Sequence, residues 1–236
     1  MSTVICLGGG EIGRLGVRSL LGDGARVLVV DPDESCLARP LCQRRVDSAD
    51  EVLDCAEGRA LYLKGDGVDV LTDVLQRWTP DQVVPAAPGH LAARLAMAWS
   101  LRSYRPIVSF GGPLLKMVDA LPADTVQLID SVQGVLAASH IPSDMRCREG
   151  CEQPSVCPAT GKELTPMHQL VDRALAETVD RRSVMVTIGT KVGAIRGGDI
   201  RKMLDALGSL GVAMTMGIAT SCRCHAIVNI IRHGSE

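Results

Sequence analysis

The feature that most constrains the fold is a glycine-rich turn between two apolar segments near the start of the chain. Residues 4–7 are apolar, three glycines follow at 8–10, and apolar or small residues then recur at helical spacing up to the Gly-Asp-Gly at 22–24. A second apolar segment, 26–30, ends just before Pro32, which cannot donate a hydrogen bond to a sheet. Strand, turn, helix and strand within about 30 residues predict a βαβ unit.

Apolar strands and amphipathic helices continue to alternate after this unit, a pattern typical of an α/β fold with a parallel sheet. We therefore predict a doubly wound, mostly parallel, Rossmann-like sheet over residues 1–138. Its further strands are expected at 60–63, 82–85, 106–110 and 126–129, with helices at 68–78 and 91–101. The composition shifts near residue 140, and a smaller C-terminal α/β part that carries a cysteine-ligated metal site is predicted for residues 139–236.

The turn itself matches the dinucleotide-binding pattern G-x-G-x-x-G with Gly8, Gly10 and Gly13. In that pattern the first glycine permits the tight turn, the second lets the backbone approach a pyrophosphate, and the third lets the helix pack closely on the sheet. The backbone amides at the helix start, including those of Glu11 and Ile12, favour an anion together with the helix dipole. The pattern alone is weak, but here it follows a strand and opens a helix, as the motif requires.

The second strand ends in Asp31, 18 residues after Gly13, at the place where a carboxylate binds the ribose hydroxyls of a dinucleotide. An acid there favours NAD over NADP, because a carboxylate would repel a 2′-phosphate. FAD is likewise a less favoured ligand. A nucleotide site that has decayed into scaffold and a site adapted to S-adenosylmethionine are the alternatives.

The same stretch resembles two known families. The segments GGGEIG, LLGDGA and VLVVDP between Val4 and Pro32 look like the start of siroheme-synthase dehydrogenase domains and of the Rossmann domains that regulate potassium channels. The segment GDGVDVLTDVL at 65–75 is similar to the third-strand motif of the channel regulators. The resemblance covers roughly the first 110 residues. It implies a Rossmann fold, nucleotide binding and a contact from Asp66 to the nucleotide.

The cysteines carry a second chemical signal. Cys147, Cys151 and Cys157 lie close together in a polar, turn-rich segment, and three thiolates so spaced can surround one soft metal centre. Cys222 or Cys224 would supply the fourth ligand, since both point to the same side of an extended segment. The spacing is loose for a zinc knuckle, so we predict an iron–sulfur cluster of the 4Fe–4S type. Zinc, and free or paired thiols, are the alternatives.

His90 is the candidate catalytic residue. It follows a Pro-Gly turn at the carboxyl end of a predicted strand, and that edge of an α/β sheet carries the ligand crevice. A histidine there could bind substrate or transfer a proton. A helix cap or an ordinary surface histidine is the alternative interpretation.

Charge and composition disfavour several classes of partner. The formal net charge is -2 and no run of Lys or Arg exceeds two residues, so a basic face for nucleic acid or acidic membranes is not expected. The last aromatic residue is Phe110, which leaves no stacking platform for bases in the C-terminal half. No apolar run approaches the roughly 18 residues of a membrane helix, and no signal-peptide pattern opens the sequence. We expect a cytoplasmic protein.

Together these signals predict a redox protein that binds a nicotinamide or flavin dinucleotide and an iron–sulfur cluster, either as an oxidoreductase or as an electron-transfer component. A non-enzymatic sensor of NAD or redox state is one alternative. A zinc-stapled enzyme that uses a nucleotide or S-adenosylmethionine is another. The expected partners are a small-molecule substrate or a redox partner protein, with a homodimer among the expected assemblies.

Overall fold

The computed structural model describes residues 2–145, 153–189 and 192–234. The chain forms two compact units, Met1–Ala98 with Lys191–Arg201, and Trp99–Thr190 with Lys202–Glu236. Each unit contains one β-sheet with helices, which confirms the α/β class. The division near residue 138, which was based on composition, stays a prediction.

The sheet of the first unit is parallel apart from one short strand. The strands are β1 (Thr3–Leu7), β2 (Arg26–Asp31), β3 (Arg45–Val46), β4 (Ala60–Lys64), β5 (Gln82–Pro85) and β10 (Ile195–Arg196). Their order in the sheet is β10-β5-β1-β2-β4-β3, and only β10 is antiparallel to its neighbour. Helices α1 (Glu11–Gly22) and α2 (Gly67–Leu75) follow β1 and β4, and α3 (Leu91–Arg102) begins in this unit after β5.

The central strands of this sheet are apolar and buried along nearly their whole length. Residues 4–7 of β1 and 27–30 of β2 are all buried, and β1 pairs with β2 in register from Thr3 with Arg26 to Leu7 with Val30. A strand in a parallel sheet is covered on both faces, so its sequence is a continuous apolar run rather than an alternating one. This explains why the first βαβ unit lies where the sequence predicts it.

The sheet of the second unit is mainly antiparallel. The strands are β6 (Ile107–Ser109), β7 (Val126–Asp130), β8 (Val135–Ser139), β9 (Arg181–Val186), β11 (Thr215–Ser221) and β12 (His225–His233). Their order in the sheet is β7-β8-β12-β11-β9, β6 pairs with β12, and only β9 and β11 are parallel to each other. Helices α4 (Leu114–Asp119) and α5 (Met167–Ala176) lie in this unit, and the last turn of α3 and most of α6 (Gly197–Gly208) also belong to it.

Two strands therefore differ from the expectation that one parallel sheet extends to residue 138. β6 and β7 form as predicted from their apolar sequences, but both lie in the second sheet and pair antiparallel. β6 pairs with β12, which is distant in sequence, and β7 pairs with β8 in a hairpin. An apolar run predicts a strand but does not specify which strand it pairs with or in which direction. Among the helices of the described residues, none combines the length and apolar character needed to cross a membrane.

Candidate functional site

The carboxyl ends of the parallel strands enclose a cavity within the first unit. β1, β2, β4 and β5 run in the same direction, so the turns that follow them meet at one edge. The cavity has a volume of about 570 Å³, within the usual range for small-molecule sites. It is lined by Leu7, Gly8, Gly10, Val30, Asp31, Pro32, Asp66, Gly67, Val68, Ala86, Ala87, Pro88, Leu91 and Arg94.

The glycine turn is held by close contacts between backbones. Gly8 has a φ of +103°, and a Cβ there would lie 2.8 Å from the backbone of Ala86 and Ala87. A Cβ at Gly13 would lie 2.0 Å from the carbonyl oxygen of Gly8. The first and third glycines of the motif are therefore required by the fold itself, whether or not a ligand binds.

Gly10 differs from these two glycines because no fold contact requires it. It lines the cavity as the N-cap of α1, its φ of -66° is ordinary, and a Cβ there would meet nothing within 4 Å. No side chain caps α1, and the first-turn amides of Glu11, Ile12 and Gly13 have no carbonyl partner within the helix. The positive end of the α1 dipole therefore opens beside the cavity.

Asp31 lies at the end of β2 with its carboxylate fixed by two backbone amides. Oδ2 accepts from Gly9 N at 2.6 Å and Oδ1 accepts from Asp33 N at 2.8 Å. The hydroxyl of Tyr62 donates to the Asp31 carbonyl at 2.7 Å, which holds the backbone of the same residue. Each carboxylate oxygen can accept a further hydrogen bond, so the group can still bind a pair of hydroxyls on a ligand.

Asp66 and Arg94 form the charged part of the cavity wall. Asp66 caps α2, since its Oδ1 accepts from Val68 N at 2.8 Å and from Asp69 N at 3.2 Å. Arg94 Nη1 donates to the Pro88 carbonyl at 3.2 Å, and Nη2 lies 3.6 Å from Asp66 Oδ2. Sequence reasoning missed Arg94. Its one signal was a cation in the first turn of a helix that follows a strand end, and such residues are common.

Other predicted residues lie close to the cavity without lining it. Glu11 forms a salt bridge with Arg14, which lowers the pKa of its carboxyl, and Ile12 is exposed. His90 is buried where α3 begins, and the lining includes its neighbour Leu91 but not His90 itself. Its catalytic role stays a prediction.

Three of the predicted metal ligands lie in a small apolar cluster of the second unit. Cys157 and Cys224 are buried with Ile141 and Leu164, and Cys222 packs against them. The sulfur of Cys222 accepts from the amides of Cys224 and His225 at 3.3 and 3.2 Å. Hydrogen bonds from the Thr160 side chain, and then from nearby amides, lower the pKa of the Cys157 thiol.

This arrangement does not support the predicted metal centre. Within residues 2–145, 153–189 and 192–234, no group of three or more His, Cys, Asp or Glu side chains is placed to hold a metal ion. Cys147 and Cys151 lie outside the described residues. The iron–sulfur prediction and its zinc alternative are therefore wrong. The Cys222 sulfur also lies 3.4 Å from Nδ1 of His225, but this contact does not assemble three ligands around one point.

Two family models match nearly the whole chain. The model AF_1314_N, described as the N-terminal domain of an uncharacterized protein, matches residues 3–91. The model AF_1314_C, described as the C-terminal domain of an uncharacterized protein, matches residues 92–234. The resemblance to siroheme-synthase dehydrogenase domains and potassium-channel regulators is therefore wrong as an assignment of family.

Comparisons with curated proteins and with solved structures do not identify a further relative that supports a function. None of the curated proteins matches the chain. Two solved structures of N5-carboxyaminoimidazole synthetase from Staphylococcus aureus match weakly. One is complexed with ADP, at 11% identity and a TM-score of 0.25, over 97% of this chain and 47% of that one. The other has 12% identity and a TM-score of 0.25, over 95% of this chain and 46% of that one. The chain spans about half the length of those enzymes, and so low a TM-score carries no argument.

These findings correct the predicted function. Neither family model is described as a nicotinamide- or flavin-dependent oxidoreductase, and the described residues hold no metal-binding group. The prediction of a redox protein with NAD, NADP or FAD and a metal cluster is therefore wrong, together with its sensor and zinc-enzyme alternatives.

Proposed function

The chain belongs to the AF_1314 family, and we propose that its first unit binds a ribonucleoside phosphate, such as ADP or ATP, in the cavity at the carboxyl edge of its parallel sheet. Four strands there have the order β5-β1-β2-β4, which is the order of one half of a doubly wound Rossmann-like sheet followed by the first strand of the other half. In such a sheet the chain switches sides between β1 and β5. Ligands bind in the crevice at that point.

The observation that carries the proposal is the open turn at Gly10 beside the fixed carboxylate of Asp31. A phosphate can approach the uncapped first turn of α1 at Gly10, where backbone amides and the helix dipole favour an anion. Asp31 lines the same cavity and retains acceptor capacity for the hydroxyls of a ribose. Val30, Pro32, Val68 and Leu91 supply an apolar surface for the base.

The experiment exploits the difference between Gly10 and the other motif glycines. Gly10→Ala adds a methyl group where the fold has open space and an ordinary φ, so the expected loss of stability is only that of alanine in place of glycine at an N-cap, at most about 1 kcal/mol. The methyl group would occupy the approach of the phosphate, and we expect affinity to fall at least about tenfold, the loss typical of a charge-assisted hydrogen bond. Gly22→Ala, at the other end of α1, is the matched control because its Cβ also meets nothing within 4 Å.

Binding of ATP, ADP and AMP to the full chain is measured by isothermal titration calorimetry, with GTP and GDP as competitors of different base. Wild type and Gly22→Ala should bind alike, and Gly10→Ala should bind weakly while it remains folded, with a free energy of unfolding lowered by at most about 1 kcal/mol. The proposal fails if no nucleotide binds to wild type. It also fails if Gly10→Ala binds as tightly as the control.

A further inference from the structure

The lining of the cavity includes one ion pair, Arg94 with Asp66, in which the aspartate is fixed by more hydrogen bonds than the arginine. Among the described residues that line the cavity, Arg94 is the only cation, and it faces Asp66. The separation of 3.6 Å between Arg94 Nη2 and Asp66 Oδ2 exceeds hydrogen-bond distance. Both side chains are about half exposed, at 44% and 52%, so the pair is weak.

Only one partner of this pair is free to move. Asp66 is fixed because its other oxygen caps α2 through two backbone amides. Arg94 is anchored by one hydrogen bond to the Pro88 carbonyl, while a guanidinium carries five N–H donors. The arginine can therefore turn toward an incoming anion without breaking the cap of α2, whereas the aspartate cannot follow it.

We propose that Arg94 determines the charge specificity of the cavity, by exchanging Asp66 for a phosphate of the bound nucleotide. This inference rests on the proposed nucleotide site and specifies its ligand as a charged nucleoside di- or triphosphate rather than a free nucleoside. Arg94 neutralises Asp66 in the empty site and donates to the ligand phosphate in the filled one. At 3.6 Å Arg94 Nη2 makes no hydrogen bond to Asp66, whereas a phosphate can accept a charge-assisted hydrogen bond from the guanidinium, and this favours the exchange.

The two residues are expected to have opposite effects on binding of a charged ligand. Arg94→Met removes the donor and leaves Asp66 unneutralised beside the phosphate. Asp66→Asn removes the competing charge but keeps an oxygen that can cap α2, since Asn is as good an N-cap as Asp. A neutral nucleoside should respond to neither change.

The test compares ADP with adenosine, and GDP with guanosine, by calorimetry on the full chain. For each variant the ratio of nucleoside Kd to diphosphate Kd is the readout. We expect Arg94→Met to lower this ratio about tenfold or more, and Asp66→Asn to raise it about two- to fivefold. Arg77→Met is the matched control, because it removes an equally exposed ion pair with Asp50 that lies outside the cavity lining, and its ratio should equal that of wild type.

The possible results distinguish failure of the proposed role of Arg94 from failure of the proposed nucleotide site. If Arg94→Met weakens the nucleoside and the diphosphate equally, or if Asp66→Asn weakens the diphosphate, Arg94 does not select by charge, although the nucleotide site stands. If wild type binds neither kind of ligand, both proposals are overturned. Unfolding curves of all variants accompany the titrations, so that a folding defect is not taken for a loss of specificity.

Discussion

Both units bring a helix unusually close to a strand or strand end through a glycine, but the atoms that limit the approach differ. In the first unit Gly13 lies on α1, and a Cβ there would lie 2.0 Å from the backbone oxygen of Gly8. In the second unit Gly217 lies on β11, and a Cβ there would lie 2.4 Å from the side-chain Cδ2 of Leu175 on α5. A backbone oxygen fixed by the turn cannot move aside, whereas a leucine side chain can change rotamer. Two glycines with equally little space for a Cβ therefore differ in how much an alanine substitution should destabilise the fold, because the nearest atom is backbone at Gly13 and side chain at Gly217.

The largest effect is therefore expected in the first unit. Gly13→Ala should destabilise it by about 3 kcal/mol, the upper end of the usual cost of overpacking, because the turn after β1 must open. Denaturant unfolding of a Trp99→Phe background, in which Trp78 remains as the reporter of the first unit, measures this cost. Gly22→Ala is the control and should be neutral or stabilising by up to about 1 kcal/mol, as expected for alanine in a helix.

The same contrast explains which parts of the molecule could be predicted from sequence. Gly8 and Gly13 are five residues apart, so the turn, α1 and the position of Asp31 follow from local spacing, and the structure has them as predicted. Gly217 and Leu175 are brought together by the pairing of distant strands. No pattern in the sequence indicates this contact.

The residues of the candidate site also differ in whether local sequence spacing could identify them. Gly8, Gly10, Asp31 and Asp66 line one cavity, and their role in binding stays a prediction. Arg94 was missed because an arginine in a helix has no special spacing. The metal prediction failed because the environment of the Cys157 and Cys224 sulfurs is set by Ile141 and Leu164, which the cysteine spacing does not report.

A smaller effect is expected for Gly217→Ala in the second unit. The new methyl group should displace Leu175 at a cost of about 1–2 kcal/mol, because the side chain is fully buried in a packed core but is not fixed by the backbone. Trp99 in a Trp78→Phe background is the reporter. Gly208→Ala, whose Cβ meets nothing within 4 Å, is the control in the same unit.

The double variant Gly217→Ala with Leu175→Ala sharpens the comparison. Shortening the leucine removes the atoms that clash, so the double variant should cost less than the sum of the two single variants. If the costs simply add, or if Gly217→Ala is as damaging as Gly13→Ala, the distinction between backbone and side-chain limits is wrong.

The smallest expected effect contrasts two carboxylates, one in each unit, whose pKa values are lowered for different reasons. The Arg77 guanidinium, and then the Trp78 indole, lower the pKa of Asp50, whereas the amide and then the hydroxyl of Thr215 lower that of Asp180. A carboxyl with a depressed folded pKa contributes stability above its unfolded pKa of about 3.9, and that stability is lost as the pH falls through the folded value. Each contribution should be below about 1 kcal/mol, because both groups are exposed.

The salt dependence of stability distinguishes the ion pair that lowers the pKa of Asp50 from the neutral hydrogen bonds that lower the pKa of Asp180. An ionic strength of about 1 M shortens the Debye length to about 3 Å and screens the Asp50–Arg77 pair, but it has little effect on donation from a neutral amide. Stability is measured from pH 6 to pH 3 at low and high salt, with Trp78 and Trp99 as separate reporters. The part of the acid-dependent loss that disappears in Asp50→Asn should shrink in high salt, while the part that disappears in Asp180→Asn should not. Equal salt sensitivity of these two parts would mean that charge, rather than the hydrogen bonds from Thr215, also stabilises the Asp180 carboxylate.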